Sequence, residues 1–250
     1  MLKYAIRLAR LLPREARMVY AILGCRPGKV EKRVLLTATK IATQRAVQML
    51  ERVEERGETF RGYYEGVPVS VVPTGIGCPA TAVVVEALQM ARVRAIVRSD
   101  FAGALRRNIR LGDLLVADKA YTGDGTTKHY VKEGFVEGDR SITQLLSKCA
   151  SERNIRFHVG HVWTTDALFR ETKELLEEAI GLECIGIDME TSALFTVGGI
   201  HGIKCGSIMS VSDNPIAGKH LFNSITKKEV FEGLDLAVSV GLEALSRISI

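Results

Sequence analysis

The chain has no C-x-x-C pair. Its five cysteines (Cys25, Cys78, Cys149, Cys184, Cys205) are an odd number, so neither a zinc nor a disulfide framework follows from their spacing. They read mostly as small buried hydrophobes in a reducing cytoplasm. His158 and His161 lack partners at metal-site spacing, so no metal is expected. One uncharged run, Val67 to Val85, has the length of a membrane span, but Pro68, Pro73, Gly75, Gly77 and Pro79 break it into strand, loop and helix. The first residues, MLKYAIRLARLLPREAR, carry charges throughout and lack a signal-peptide core. A cytoplasmic protein with no membrane partner is the expectation. No internal repeat, low-complexity tract or linker divides the chain, which reads as a single domain over residues 1–250.

What is present suits a soluble globular protein: 46% hydrophobic and 25% charged residues, enough to bury a substantial core. A net charge of +5 fits a small anionic substrate and nucleic acid equally well and separates them poorly. The cations crowd toward the start (Arg7, Arg10, Arg14, Arg17, Arg26, Lys29, Lys32, Arg33), as a solvated face would.

Apolar runs bounded by glycine or charge alternate with helical patterns. Strands are expected at Met18–Leu23, Val67–Val72, Ala95–Arg98, Leu114–Ala117, Phe157–Val162, Cys184–Ile187 and Gly206–Val211. Helices are expected at Pro79–Ala91, Ile142–Ser151, Glu171–Ala179, Thr191–Ile200 and Lys227–Leu245. Such alternation predicts an α/β domain with a mostly parallel sheet covered on both sides.

The segment from Cys184 to Pro215, CIGIDMETSALFTVGGIHGIKCGSIMSVSDNP, is the richest in chemistry. Asp188, Met189 and Glu190 stand where one apolar run enters a helix, and Ser212-Asp213-Asn214 ends another. Open α/β sheets bind ligands at such strand ends. Two acids there suit a polar substrate gripped by one and protonated by the other. Gly75-Ile76-Gly77-Cys78-Pro79 is either an anion-binding helix start or a structural turn. Arg98, ending a strand before Ser99-Asp100-Phe101, is either an oxyanion clamp or a paired surface cation. Gly24-Cys25-Arg26-Pro27-Gly28-Lys29 has the same ambiguity. His129 and Tyr130 lie in a polar loop that covers a site or is merely exposed. Trp163, the single tryptophan, stacks on a flat heterocycle or caps the core.

Together these residues resemble the nucleoside phosphorylase family, which contains purine nucleoside and uridine phosphorylases. The likeness is nearest to its archaeal purine nucleoside and methylthioadenosine branch. It is carried by GIDMETSALF and SDN, supported in order by Glu54 to Gly57 (EERG), GIGCP, Arg98 to Leu105 and Val162 to Phe169 (VWTTDALF). The resemblance implies a partly closed barrel and a phosphate-dependent pentosyltransferase, with inorganic phosphate as co-substrate and no other cofactor. It implies a dimer-based hexamer with no nucleic-acid partner. Glu190 would hold the ribose hydroxyls with Met189 on the sugar, and Asp213 would share a proton with purine N7. Trp163 and Phe101 would adjoin the base. Arg98, Lys29, Arg26 and, from a neighbouring subunit, Arg56 would bind phosphate; Lys227 would support Asp213, and Asp100 is a further supporting residue. The chain has Asp213 and no glutamine–arginine pair after Phe169, which favours purine over uracil.

The departures concentrate in the phosphate half. The family's glycine–aspartate–proline–x–arginine loop is matched to Cys25–Lys29, with Cys25 and Lys29 replacing glycine and arginine. Asp100 and Phe101 replace a glycine and a hydroxyl residue. Ala5 stands at the place of a sugar-contacting histidine. The alternatives are uridine phosphorolysis, a hydrolase in which Asp100 activates water, and a non-catalytic nucleoside-binding homologue.

Overall fold

The computed structural model describes residues 13–250; Ala5, Arg7 and Arg10 lie outside the described residues. The run Met18–Leu23, expected as a strand, is the second half of helix α1 (Arg14–Leu23). Val19 and Leu23 are buried four residues apart while Met18 and Tyr20 face solvent, a helical period. Gly24, at φ 67°, ends the helix by donating its N–H to the Tyr20 carbonyl at 3.0 Å.

The first strand, β1 (Arg33–Thr37), leads into α2 (Lys40–Gln48). A charged hairpin follows, β2 (Glu51–Arg56) and β3 (Thr59–Tyr64), and then β4 (Val67–Pro73) and α3 (Cys78–Met90). Next come β5 (Ala95–Ala104), β6 (Leu114–Thr122), β7 (Phe135–Glu137), α4 (Arg140–Glu152), β8 (Phe157–Thr164) and α5 (Lys173–Gly181). The chain finishes with β9 (Gly186–Asp188), α6 (Thr191–Ile200), β10 (Lys204–Asp213), α7 (Leu221–Ser224) and α8 (Lys228–Arg247).

Five strands close into a ring: β5 pairs with β10, β10 with β6, β6 with β8, β8 with β9, and β9 with β5 again. β1, β4, β3 and β2 extend from β5 as an open wing. Neighbours are parallel through β4–β1–β5–β10 and through β6–β8–β9; antiparallel pairing joins these two sets at the β10–β6 and β9–β5 seams. Closure removes free sheet edges from the barrel.

Helices cover both faces. One core joins Val19 and Leu23 of α1, Val85 and Leu88 of α3, and Leu194 and Val197 of α6 to Ile96 of β5. The other joins Ala42 of α2, Leu146 of α4 and Leu234 of α8 to Val97 of β5. Adjacent residues of β5 thus serve opposite cores, as strand alternation requires. All five cysteines are buried and unbridged. Among the described residues no helix is long and apolar enough to cross a membrane.

Candidate active site

β5 organises the site. Its first residues are apolar, but Arg98, Ser99 and Asp100 follow while it remains deep in the sheet, and all three are buried. A buried charge needs partners. β9 runs against β5, so the chain leaving Asp188 turns back toward Arg98. Arg98 Nη2 donates to Glu190 Oε2, and Nη1 lies 3.2 Å from Asp188 Oδ2. The second Glu190 oxygen accepts the Gly77 N–H at 2.8 Å. Gly77 makes this approach at φ 104°, a conformation that favours glycine. Asp188 also accepts the Thr164 hydroxyl (2.7 Å) and the Thr191 N–H (3.0 Å), anchoring the start of α6.

Burial alone would lower the Arg98 pKa, but Glu190, Asp188 and Asp100 around the guanidinium raise it and keep it protonated. Burial pushes the Glu190 carboxyl upward, opposed by Arg98. Three carboxyls surround one cation, and burial holds Glu190 back from ionising. Among the described residues, Arg98 Nε has no hydrogen-bond partner, and Nη1 has only the ion pair with Asp188.

The second acid lies across the same strand end. Gly103 of β5 pairs with Ile187 on one side and Asp213 on the other. A Cβ at Gly103 would stand 3.0 Å from Ile187 Cγ2 and 3.3 Å from Asp213 Oδ2, so a side chain there would have to push one of them aside by a few tenths of an ångström. Asp213 is 7% exposed. Burial pushes its pKa up, against the Ser212 hydroxyl, donating at 2.7 Å, and His220 nearby. Glu171, just beyond the short turn Leu168–Arg170, is pushed up to about 7 by burial first and by Asp213 second. Sequence reading missed Glu171; the only cue was an acid shortly after the VWTTDALF segment.

Comparison with known proteins gives the family. The family model described as Phosphorylase superfamily matches residues 32–232. The chain belongs to the phosphorylase superfamily. A uridine phosphorylase of Thermococcus kodakarensis is 28% identical over 226 residues, covering 83% of this chain and 81% of the relative. A guanosine phosphorylase of Halorubrum lacusprofundi is 31% identical over 157 residues, covering 62% and 65%. Among solved structures, uridine phosphorylase from Vibrio fischeri superposes with a TM-score of 0.81 at 27% identity, covering 89% of this chain and 94% of that one. Purine nucleoside phosphorylase from Toxoplasma gondii gives 0.79 at 25%, covering 88% and 92%. The phosphorylase superfamily members it matches are nucleoside phosphorylases, and this chain is an enzyme of that pentosyltransferase type.

Several expected site residues of this phosphorylase-superfamily chain stand elsewhere. Arg26 and Lys29 are exposed on a segment that follows α1 and precedes β1. Its residues Pro27, Gly28 and Lys32 share a cavity with Met90 and Arg92, at the end of α3 remote from Gly77. The loop that does follow the first strand is Ala38-Thr39-Lys40, which has neither glycine nor arginine. Trp163 is 6% exposed and stacked on Tyr121 (centroids 4.5 Å apart), in a small core with Leu105 and Ile187. It caps the core and offers no open face to a base. Phe101 meets Phe231 of α8 edge-on at 6.4 Å, which strand alternation explains, since it points away from the Arg98–Asp100 face. Lys227 is exposed, and among the described residues no hydrogen bond or ion pair joins it to Asp213. Arg56 lies on β2, whose side chains are all exposed, paired with Glu54 at 3.0 Å. Met189, half-buried, stays beside Glu190. His129 and Tyr130 are exposed; their loop is pinned from within by Asp124, which accepts the Ser192 hydroxyl at 2.7 Å.

Proposed function

We propose that this chain cleaves the N-glycosidic bond of a purine nucleoside, passing the sugar to inorganic phosphate. The observation that carries this reading is Asp213, a buried carboxyl with a raised pKa at the end of β10, across Gly103 from the strand leading to Glu190. As the C1′–N9 bond breaks, its electron pair moves to the base, and a protonated Asp213 supplies the proton that N7 takes up. General acid help of this kind is worth about 10²–10⁴ in rate. Glu190, braced by Arg98 and Gly77, accepts hydrogen bonds from the ribose hydroxyls, and Met189 packs on the sugar. A phosphate oxygen takes the sugar carbon, giving free base and sugar 1-phosphate. Arg56 joins this reading only from a second copy of the chain; activity sedimenting as a monomer would remove it.

The test is base release from inosine, adenosine, guanosine, methylthioadenosine and uridine, with and without phosphate. We expect a purine substrate to be cleaved and the Asp213→Asn variant to lose at least about 10²-fold in kcat. Release from uridine alone, or full activity in Asp213→Asn, would overturn the reading.

A further inference from the structure

The loop between β1 and α2 is built to hold an anion, and the chain fills it with its own. Thr39 caps α2 through its hydroxyl, which accepts the Ala42 N–H. Amides at the start of a helix, with the helix dipole behind them, favour negative charge. Here the Ala38 and Thr39 N–H groups converge on Asp100 Oδ2 at 2.7 and 2.9 Å. The Thr39 hydroxyl and the Phe101 N–H reach Oδ1 at 3.0 Å each. Asp100 is 1% exposed. It lies two residues beyond Arg98 on the same strand face, beside the guanidinium whose pKa it helps to raise. Of that guanidinium, Nη2 meets Glu190 and Nη1 pairs with Asp188, while Nε has no hydrogen-bond partner among the described residues, so one buried donor is left over. Ala38 and Thr39 also line a cavity of about 600 Å³, together with Lys40, Gln44, Gly75 and Ile76. An oxyanion entering from that cavity meets a helix start whose donors are taken.

We propose that Asp100 is a built-in competitor for the anionic co-substrate: it occupies the amide cradle between β1 and α2, and so sets how much inorganic phosphate the enzyme needs. This rests on the proposed function for the placement of the reaction, but it makes a separate claim about binding. Phosphate and the Asp100 carboxylate exclude one another, since both need the same donors and both carry negative charge. Removing the carboxylate therefore improves phosphate binding, whereas loss of a purely structural brace would weaken it or leave it unchanged.

The experiment titrates inorganic phosphate into wild-type protein and into Asp100→Asn and Asp100→Gly, by calorimetry or phosphorus NMR, and follows base release against phosphate concentration. Wild type is expected to bind weakly, with Kd above about 1 mM. At least one folded variant is expected to bind at least about tenfold tighter, with the KM for phosphate falling in step and the KM for nucleoside little changed. A wild-type Kd below about 1 mM overturns the proposal even if neither variant folds. Phosphate affinity unchanged or reduced in the folded variants overturns it as well. If nucleoside is never cleaved but the variants gain phosphate affinity, the proposed function fails and Asp100's role stands. If cleavage proceeds with a phosphate KM indifferent to both substitutions, the reverse holds.

Discussion

Glu171 and Asp213 are two carboxyls from separate segments; burial first, and the charge of Asp213 second, push Glu171 up to about 7. Asp213 itself is pushed up by burial, against Ser212 and His220. Replacing Asp213 by Asn should lower the Glu171 pKa, read by NMR titration of its side-chain carboxyl, while burial keeps it above the usual glutamate value. An unchanged Glu171 titration in that variant would show that the two carboxyls do not sense one another. The same shift has a consequence for stability. Folded Glu171 holds its proton up to about 7, whereas an unfolded glutamate releases it near 4.5. Across that window the native state binds more protons, so stability falls as pH rises, and Glu171→Gln should flatten this slope in urea titrations. At this scale Glu190 and Asp213 were legible because each follows an apolar run with no local reason to end in an acid. Trp163 was misread because sequence cannot say whether an aromatic at a strand end faces a cavity or, as here, Tyr121. Lys29 stands away from the site because Met18–Leu23, apolar enough for a strand, is helical, so the Cys25–Lys29 turn follows a helix and not the first strand.

Among elements, α6 (Thr191–Ile200) was read with its observed bounds, and α8 nearly so, since glycine, charge or cap residues mark their ends. β5 was read only as far as Arg98. Arg98-Ser99-Asp100 resembles the polar end of a strand, but pairing with β10 carries it on to Gly103. β2, ERVEER, has no alternating apolar face because every residue is exposed, and charge on such an edge strand discourages pairing with other chains. The strand β10 is tightly covered: a Cβ on Gly206 would fall 2.3 Å from Ile142 Cγ2 and 3.2 Å from Leu146 Cδ1 of α4. Gly206→Ala should cost about 1–3 kcal/mol through overpacking, read as a lower urea midpoint with unchanged slope. An unshifted midpoint would mean that α4 moves aside freely.

For the whole molecule, alternation of strand and helix was enough to predict one α/β domain, but not which strands meet around the ring. That closure depends on non-local pairings such as β5 with β9, which join residues far apart in the chain and leave no local pattern. β9 is three residues long and meets β5 through two residue pairs, Gly103 with Ile187 and Ala104 with Gly186. The shortest stave of the barrel thus carries the segment that sets Asp188 and Glu190 against Arg98. Brief detachment of so small a piece needs far less free energy than global denaturation. Catalytic competence should therefore fail at lower urea than far-ultraviolet circular dichroism, with amides 185–188 exchanging hydrogen ahead of those in β5. Superimposable activity and dichroism curves would show instead that this seam parts only when everything does.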